Sequence, residues 1–411
     1  MLYHLHEMQR SFLTPLMQWA DASSKLFSNP VSPLAHTPFS QRIAAGYELM
    51  YRLGKDYEKP AFGIDTVAIG ADTVRIIENI EVEKPFCRLL HFRKDLSAEA
   101  FAALDQPKVL LVAPLSGHHS TLLRDTVRAL LPNHDVYITD WTDARMVPLS
   151  AGPFHLDDYI FYVQDFIRHL APDLHVISVC QPTVPVLAAI SLMASAKDPK
   201  LPKTMTMMGG PIDPRRSPTA VNDLATEKPF SWFENTVIYS VPGNYPGVGR
   251  RVYPGFLQHA GFIAMNPGRH AQSHREFYNH LVAGDDEPAE SHRQFYNEYN
   301  AVLDMPAEYY LDTIKTVFQD FALPKGTWKV GGQLVRPQDI TTVALLTVEG
   351  ELDDISGAGQ TQAAHDLCSS IPADMKQDYV AAKAGHYGIF SGRRWRETIC
   401  PKIGEFIRKH G

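Results

Sequence analysis

The chain has 411 residues, 45% of them apolar and 21% charged, with a formal net charge of −7. It is long enough to bury a large core, and its composition is ordinary for a globular protein. Its largest basic group, Arg393-Arg394 with Arg396, is too small for a nucleic-acid surface, so partners of that class are excluded.

The N-terminal segment has no basic stretch ahead of an apolar one, so no secretory signal is expected. No apolar run reaches the roughly 20 residues that span a bilayer. The four cysteines, Cys87, Cys180, Cys368 and Cys400, include no C-x-x-C pair. That argues against a zinc site or a disulfide framework and suits a reducing compartment. A cytoplasmic location is expected. From Leu2 to Phe27, apolar residues recur at helical spacing: Leu5, Met8, Phe12, Leu16, Trp19 and Leu26. The spacing predicts a helix packed on its own domain, with contact to a lipid-like surface as the sharper alternative. Pro15 should kink or break it. Residues Thr66–Ile80 read as strand.

Val109–Pro114 is a continuous apolar strand that opens into Leu115-Ser116-Gly117-His118-His119. A helical stretch follows from Thr121 to Leu131, and Asp135–Trp141 supplies the next strand. Another helix starts at Leu156, with Asp157 or Asp158 as its expected N-cap. Leu174–Val179 then runs into Cys180-Gln181-Pro182, followed by the apolar helical run Pro185–Ile190. A β-prone run stopping at a thiol before a helix is the layout of a nucleophile elbow. Its usual outer glycines are replaced by Ser178 and Pro182.

A segment of about 214–335 interrupts the alternation. It is rich in aromatics: Phe230, Trp232, Phe233, Tyr239, Tyr245, Tyr253, Phe256 and Phe262. Ser273–Asn279 recurs as Ser291–Asn297 across Gly284–Pro288, which predicts two helices and a turn. The histidines here lack a metal-ligand pattern, and no metal site is expected.

The strand Val343–Val348 leads into Glu349-Gly350-Glu351-Leu352-Asp353-Asp354, and Tyr379-Val380-Ala381 leads into Ala384-Gly385-His386. Nucleophile, acid and histidine thus fall at strand ends in the order used by the α/β-hydrolase fold. The G-x-x-D frame favours Asp353 over Asp354 as the acid. His118 and His119 are bases by type but sit at another strand end. With Trp141 they are candidates for the substrate wall.

The expected fold is therefore α/β, an α/β-hydrolase with a mostly parallel sheet, an N-terminal helical extension and an inserted lid. Residues 1–100 form the extension packed on the core, 101–213 the first half of the core, 214–335 the lid and 336–411 the second half.

The chain resembles the intracellular poly(3-hydroxybutyrate) depolymerases over nearly its whole length. The most specific pieces are Met1–Glu7, Pro114–His119, Val179–Pro182, Glu349–Ile355 and Gly385–Phe390. The resemblance implies a cysteine nucleophile, Cys180, with His386 and Asp353 completing the triad. It also implies action on native amorphous granules, release of 3-hydroxybutyrate oligomers or monomers, and no cofactor, with coenzyme A as an acyl acceptor in some members. The granule surface is then the partner, and a homo-oligomer is compatible with the chain.

Ester cleavage by such a triad passes through a thioester on Cys180, with the oxyanion held by the amides of Gln181 and Ser116. Three rival readings remain: a polyhydroxyalkanoate synthase, which would use a G-x-C-x-G elbow; an acyl-CoA thioesterase; and a granule-coating protein without activity.

Overall fold

Short apolar runs alternating with helices build one nine-stranded sheet in the computed structural model, which describes residues 2–411. The strands are β1 (Thr66–Ile69), β2 (Asp72–Lys84), β3 (Cys87–Lys94), β4 (Lys108–Val112), β5 (Asp135–Trp141), β6 (Leu174–Val179), β7 (Thr204–Met208), β8 (Ala344–Gly350) and β9 (Lys376–Ala381). Strands β4 to β8 are buried along almost their entire length. That is why they read as unbroken apolar or β-branched runs rather than alternating ones.

The spatial order is β1-β2-β3-β5-β4-β6-β7-β8-β9. Strands β4 to β9 pair in parallel, and β1, β2, β3 and β5 pair antiparallel in sequence. From β2 onward this is the strand order of the α/β-hydrolase fold. The chain turns one way from β4 and the other way from β6. Their carboxyl ends therefore flank the topological switch point, where such sheets form a crevice.

The sheet takes in β2 and β3, from the stretch whose pattern set it apart from the core. β2 carries charges at Asp72, Arg75, Glu78, Glu81, Glu83 and Lys84 and is exposed along much of its length, unlike the buried core strands. The strand-like run from Thr66 is a hairpin turned at Gly70, whose φ is 61°.

Two helices cover one face. In α3 (Leu156–Leu170), Tyr159, Ile160, Val163, Phe166 and Ile167 are buried. Its N-cap is His155, two residues before Asp157 and three before Asp158, the positions expected. Asp158 instead takes the third helical position, where its carboxylate accepts the His155 amide at 2.7 Å. α4 (Thr183–Ser195) is buried on nearly all sides.

The inserted segment forms a cap from α5 (Gly255–Met265), α6 (Pro267–Ala283), α7 (Asp286–Tyr299) and α8 (Ala307–Thr313). Helices α6 and α7 are the expected pair, with Gly284 in a left-handed turn between them. The repeat is not used symmetrically. Phe277 is buried from the first copy, but Tyr296 from the second, while Phe295 faces solvent.

The N-terminal helices α1 (Leu2–Ser28) and α2 (Ser40–Gly54) pack on this cap. Arg293 on α7 forks onto Glu48, and Arg52 donates to the Arg293 carbonyl and to Asn297. Tyr3 donates to Asp304 at 2.7 Å. α1 runs unbroken through Pro15, with Ser11 and Thr14 hydroxyls bonded back to the carbonyls of Glu7 and Arg10. Its apolar stripe packs little on its own domain, beyond Trp19 meeting Tyr47 edge-on at 5.0 Å. Leu5, Met8, Phe12, Leu16 and Trp19 are 55, 57, 80, 43 and 52% exposed, whereas Tyr3, Met17, Ala20, Ser23 and Ser24 are buried. The helix is amphipathic with its apolar side outward. No helix among the described residues is long and apolar enough to cross a membrane.

Candidate active site

The sharp turn after β6 puts Cys180 at φ 68°, a left-handed conformation that costs a non-glycine residue about 1–3 kcal/mol. Two bonds hold it there. The Cys180 amide donates to the Met208 carbonyl at 2.7 Å, and the Thr183 amide to the Cys180 carbonyl at 3.1 Å. The glycines missing from the elbow are supplied by the neighbouring strand end. A β-carbon on Gly210 would collide with Thr183 and the Cys180 carbonyl. One on Gly209, at φ 56°, would lie 2.7 Å from Ile389 and 3.3 Å from both Asp353 and His386.

At the end of β8 the chain folds back so that Asp353 Oδ2 accepts from His386 Nδ1 at 2.8 Å. Oδ1 accepts the amides of Ile355 and Ser356, both at 2.9 Å. Both oxygens of this buried carboxylate are thus engaged, by three bonds in all, and its orientation is fixed. Asp354 is exposed.

With Nδ1 on Asp353, the other nitrogen of His386 is free for Cys180. Burial by itself lowers the histidine pKa. The negative charge of a Cys180 thiolate, the bond to Asp353, the bond to Cys180 and the Asp353 charge outweigh it and push the value up to about 10. His386 is thereby placed to hold the Cys180 proton.

The loop after β4 lies beside the elbow, where Val112 and Ser178 are in register. The amides of Ser116 and Gln181 have no acceptor among the described residues. Below the loop, Trp141 donates to the Ala113 carbonyl at 2.8 Å. Asp140 accepts from Arg88 at 2.7 Å, as well as from Lys59 and Ser120. Burial would raise the Asp140 pKa, but Lys59, Ser120 and Arg88 hold it below the usual carboxylate value.

A cavity of about 360 Å³ opens above Cys180, His386, Ser116 and Gln181. The cap roofs it with Phe233, Tyr253, Phe262, Met265 and Tyr309. Of the other aromatics flagged in the insertion, Phe256 stacks on His6 of α1 at 4.0 Å, and Tyr245 donates to Glu7.

His118 lines the cavity, stacked on Phe262 at 4.8 Å. It donates through Nε2 to the Tyr299 carbonyl, and burial pushes its pKa down to about 4, so it stays neutral. His119 and Trp141 line a different, charged cleft with Lys59, Arg88 and Arg145.

Tyr309 was not visible as a site residue in sequence, since Glu308-Tyr309-Tyr310-Leu311 is an ordinary helical run. Its hydroxyl donates to Gln181 Oε1 at 2.7 Å and leaves Nε2 of that buried side chain unpaired. Among the described residues, no group of three or more His, Cys, Asp or Glu side chains is placed to hold a metal ion.

Strand order, elbow and the sequence of nucleophile, acid and histidine positions define an α/β-hydrolase. Residues 209–411 match the family described as PHB de-polymerase C-terminus. Residues 209–411 thus carry a PHB depolymerase C-terminal domain, and with the hydrolase fold they make the chain a carboxylic ester hydrolase.

No curated protein matches the chain. Among solved structures it is similar to a monoacylglycerol lipase of Paleococcus ferrophilus (13% identity, 74% of this chain and 96% of that one, TM-score 0.45). It is also similar to a thioesterase domain from the curacin biosynthetic pathway (12%, 81% and 99%, 0.43) and to a thermophilic esterase of Thermogutta terrifontis (12%, 84% and 98%, 0.41). These are distant likenesses, and the fold assignment rests on the strand order of the sheet.

Proposed function

We propose that this protein is a depolymerase of amorphous poly(3-hydroxybutyrate), acting through Cys180, His386 and Asp353 on storage granules in the cytoplasm. The observation that carries the reading is the elbow cysteine beside the His386–Asp353 pair, under an aromatic cap, in a chain with a PHB depolymerase domain.

The Cys180 thiolate attacks an ester carbonyl carbon. The amides of Gln181 and Ser116 receive the oxyanion. Its collapse breaks the C–O bond, and the His386 imidazolium protonates the departing alkoxide. A thioester of the 3-hydroxyacyl unit remains on Cys180. Neutral His386 then takes a proton from the incoming acceptor. Water releases the acid; coenzyme A, whose thiol exchanges with a thioester at little cost, would release the acyl-CoA.

The outward apolar stripe of α1 is the surface offered to the granule. Polyester is uncharged, and the stripe from Leu5 to Trp19 contains no charge on the exposed apolar side.

The test uses amorphous granules with and without coenzyme A, comparing the native protein with Cys180→Ala by mass spectrometry of the products. Release of 3-hydroxybutyrate species that the variant cannot perform supports the reading, and a CoA thioester identifies the acceptor. Turnover of soluble 3-hydroxybutyryl-CoA alone would move the reading to a thioesterase or synthase. Full activity in Cys180→Ala would refute the triad.

A further inference from the structure

Gln258 is 2% exposed and lines the cavity. Its Nε2 donates to the carbonyls of Tyr253 at 2.8 Å and Leu303 at 3.0 Å. Both partners are acceptors only, which fixes the amide the way round it stands. Its Oε1 has no donor among the described residues. That oxygen faces the oxyanion loop: a β-carbon on Gly117 would stand 2.7 Å from it. Gly117 itself has φ 114°, so the loop is shaped for a residue without a side chain there. A buried acceptor left unpaired is costly, and a ligand that brings a donor offsets that cost.

Carbonyl and ester oxygens are all acceptors. A polyester chain has one hydroxyl donor, at one end, and its other end is a carboxylate at neutral pH. We propose that Gln258 reads the free 3-hydroxyl of the terminal unit, so that this enzyme cleaves from the hydroxyl end. The inference rests on the polyester reading above.

With the acyl carbonyl at the amides of Ser116 and Gln181, the 3-hydroxyl lies two carbons away, and Gln258, which lines the same cavity, is the acceptor offered to it. An internal unit would bring an ester oxygen to the same place, acceptor against acceptor. The consequence for the chemistry is orderly. The Cys180 sulfur–carbon bond forms, the ester C–O bond breaks, and the His386 proton goes to the departing oxygen. That oxygen becomes the hydroxyl of a new terminal unit, ready for the same recognition. The unpaired Nε2 of Gln181 is left to donate to the carbonyl of the unit that follows.

The test compares two 3-hydroxybutyrate trimers, both methyl esters, one with its hydroxyl free and one with it acetylated. The native enzyme should favour the free trimer by about tenfold in kcat/KM, the size expected when a buried polar group loses its partner. In Gln258→Met, which keeps the volume and drops the acceptor, the ratio should fall to near one. A merely structural role would lower both substrates alike and leave the ratio standing. The comparison on the native enzyme needs no variant and holds even if Gln258→Met fails to fold. Equal turnover of the two trimers, or a preference that survives Gln258→Met, would overturn this inference and leave the depolymerase reading intact. Turnover of neither would overturn both.

Discussion

Asp353 gives one carboxylate oxygen to His386 and the other to the amides of Ile355 and Ser356. This division of labour decides what an amide would do in its place. In Asp353→Asn, the carbonyl oxygen must stay on the two amides, so the NH2 group turns to His386 Nδ1. The ring is then forced into the tautomer that carries its proton on Nε2, facing Cys180. It can no longer take a proton from the thiol. A fall of about 10³–10⁴ in kcat is expected, the magnitude known for a wrong tautomer in such triads. Asp354→Asn, an exposed position, should keep kcat within about twofold. Steady-state kinetics on a soluble ester distinguishes the two.

The elevated proton affinity of His386 depends on Cys180. In Cys180→Ala the thiolate is gone, and the His386 pKa should fall well below about 10, as followed by NMR titration of the ring. Stability follows with a definite sign. A histidine raised from 6.5 to about 10 in the folded state contributes stabilisation that is complete below pH 6.5 and lost as pH climbs through about 10. Denaturant titrations across that window should show a decline in the native protein and a weaker one in Cys180→Ala. Activity should also fall above about pH 10, where the leaving alkoxide loses its proton donor.

Gly209 is the tightest test of the elbow's support. Gly209→Ala would place a methyl 2.7 Å from Ile389 and 3.3 Å from His386, at a φ of 56°. Strain of about 1–3 kcal/mol is expected from the backbone conformation alone. Activity should drop with it, since the displaced groups are the triad's own. Chemical denaturation and ester turnover measure the two losses.

Replacing Phe12, Leu16 and Trp19 of α1 with serine should leave stability within about 0.5 kcal/mol per site, because these side chains already meet water. Turnover on granules, taken relative to a soluble ester, should fall by about tenfold or more as buried apolar area is lost from the contact. Granule co-sedimentation checks the cause. An unchanged ratio would remove α1 from the docking surface.

The parts legible in the sequence are those where one residue's chemistry coincides with a strand end. Cys180, Asp353 and His386 each follow an apolar run, and the sheet brings those ends together. What stayed hidden has physical reasons too. β2 reads as strand up to Ile80, but its exposed charges give no sign that it joins the core sheet. The α1 stripe has the right period, but periodicity cannot say which side faces the protein. Tyr309 and Gln258 enter the cavity from a cap whose segments have no regular spacing relative to the triad. His119 directly follows the oxyanion loop, and with Trp141 it is expected on the substrate wall. Both line the charged cleft rather than the cavity above Cys180, and Trp141 spends its indole N–H on Ala113.

If α1, with Phe12 80% exposed, seats the enzyme on its polymer as proposed, the outward side of that helix changes what concentration means. Once there, the quantity that governs turnover is enzyme per unit of particle area. Dividing the same mass of polymer into smaller particles should then raise the rate, and adding enzyme beyond a full monolayer should not.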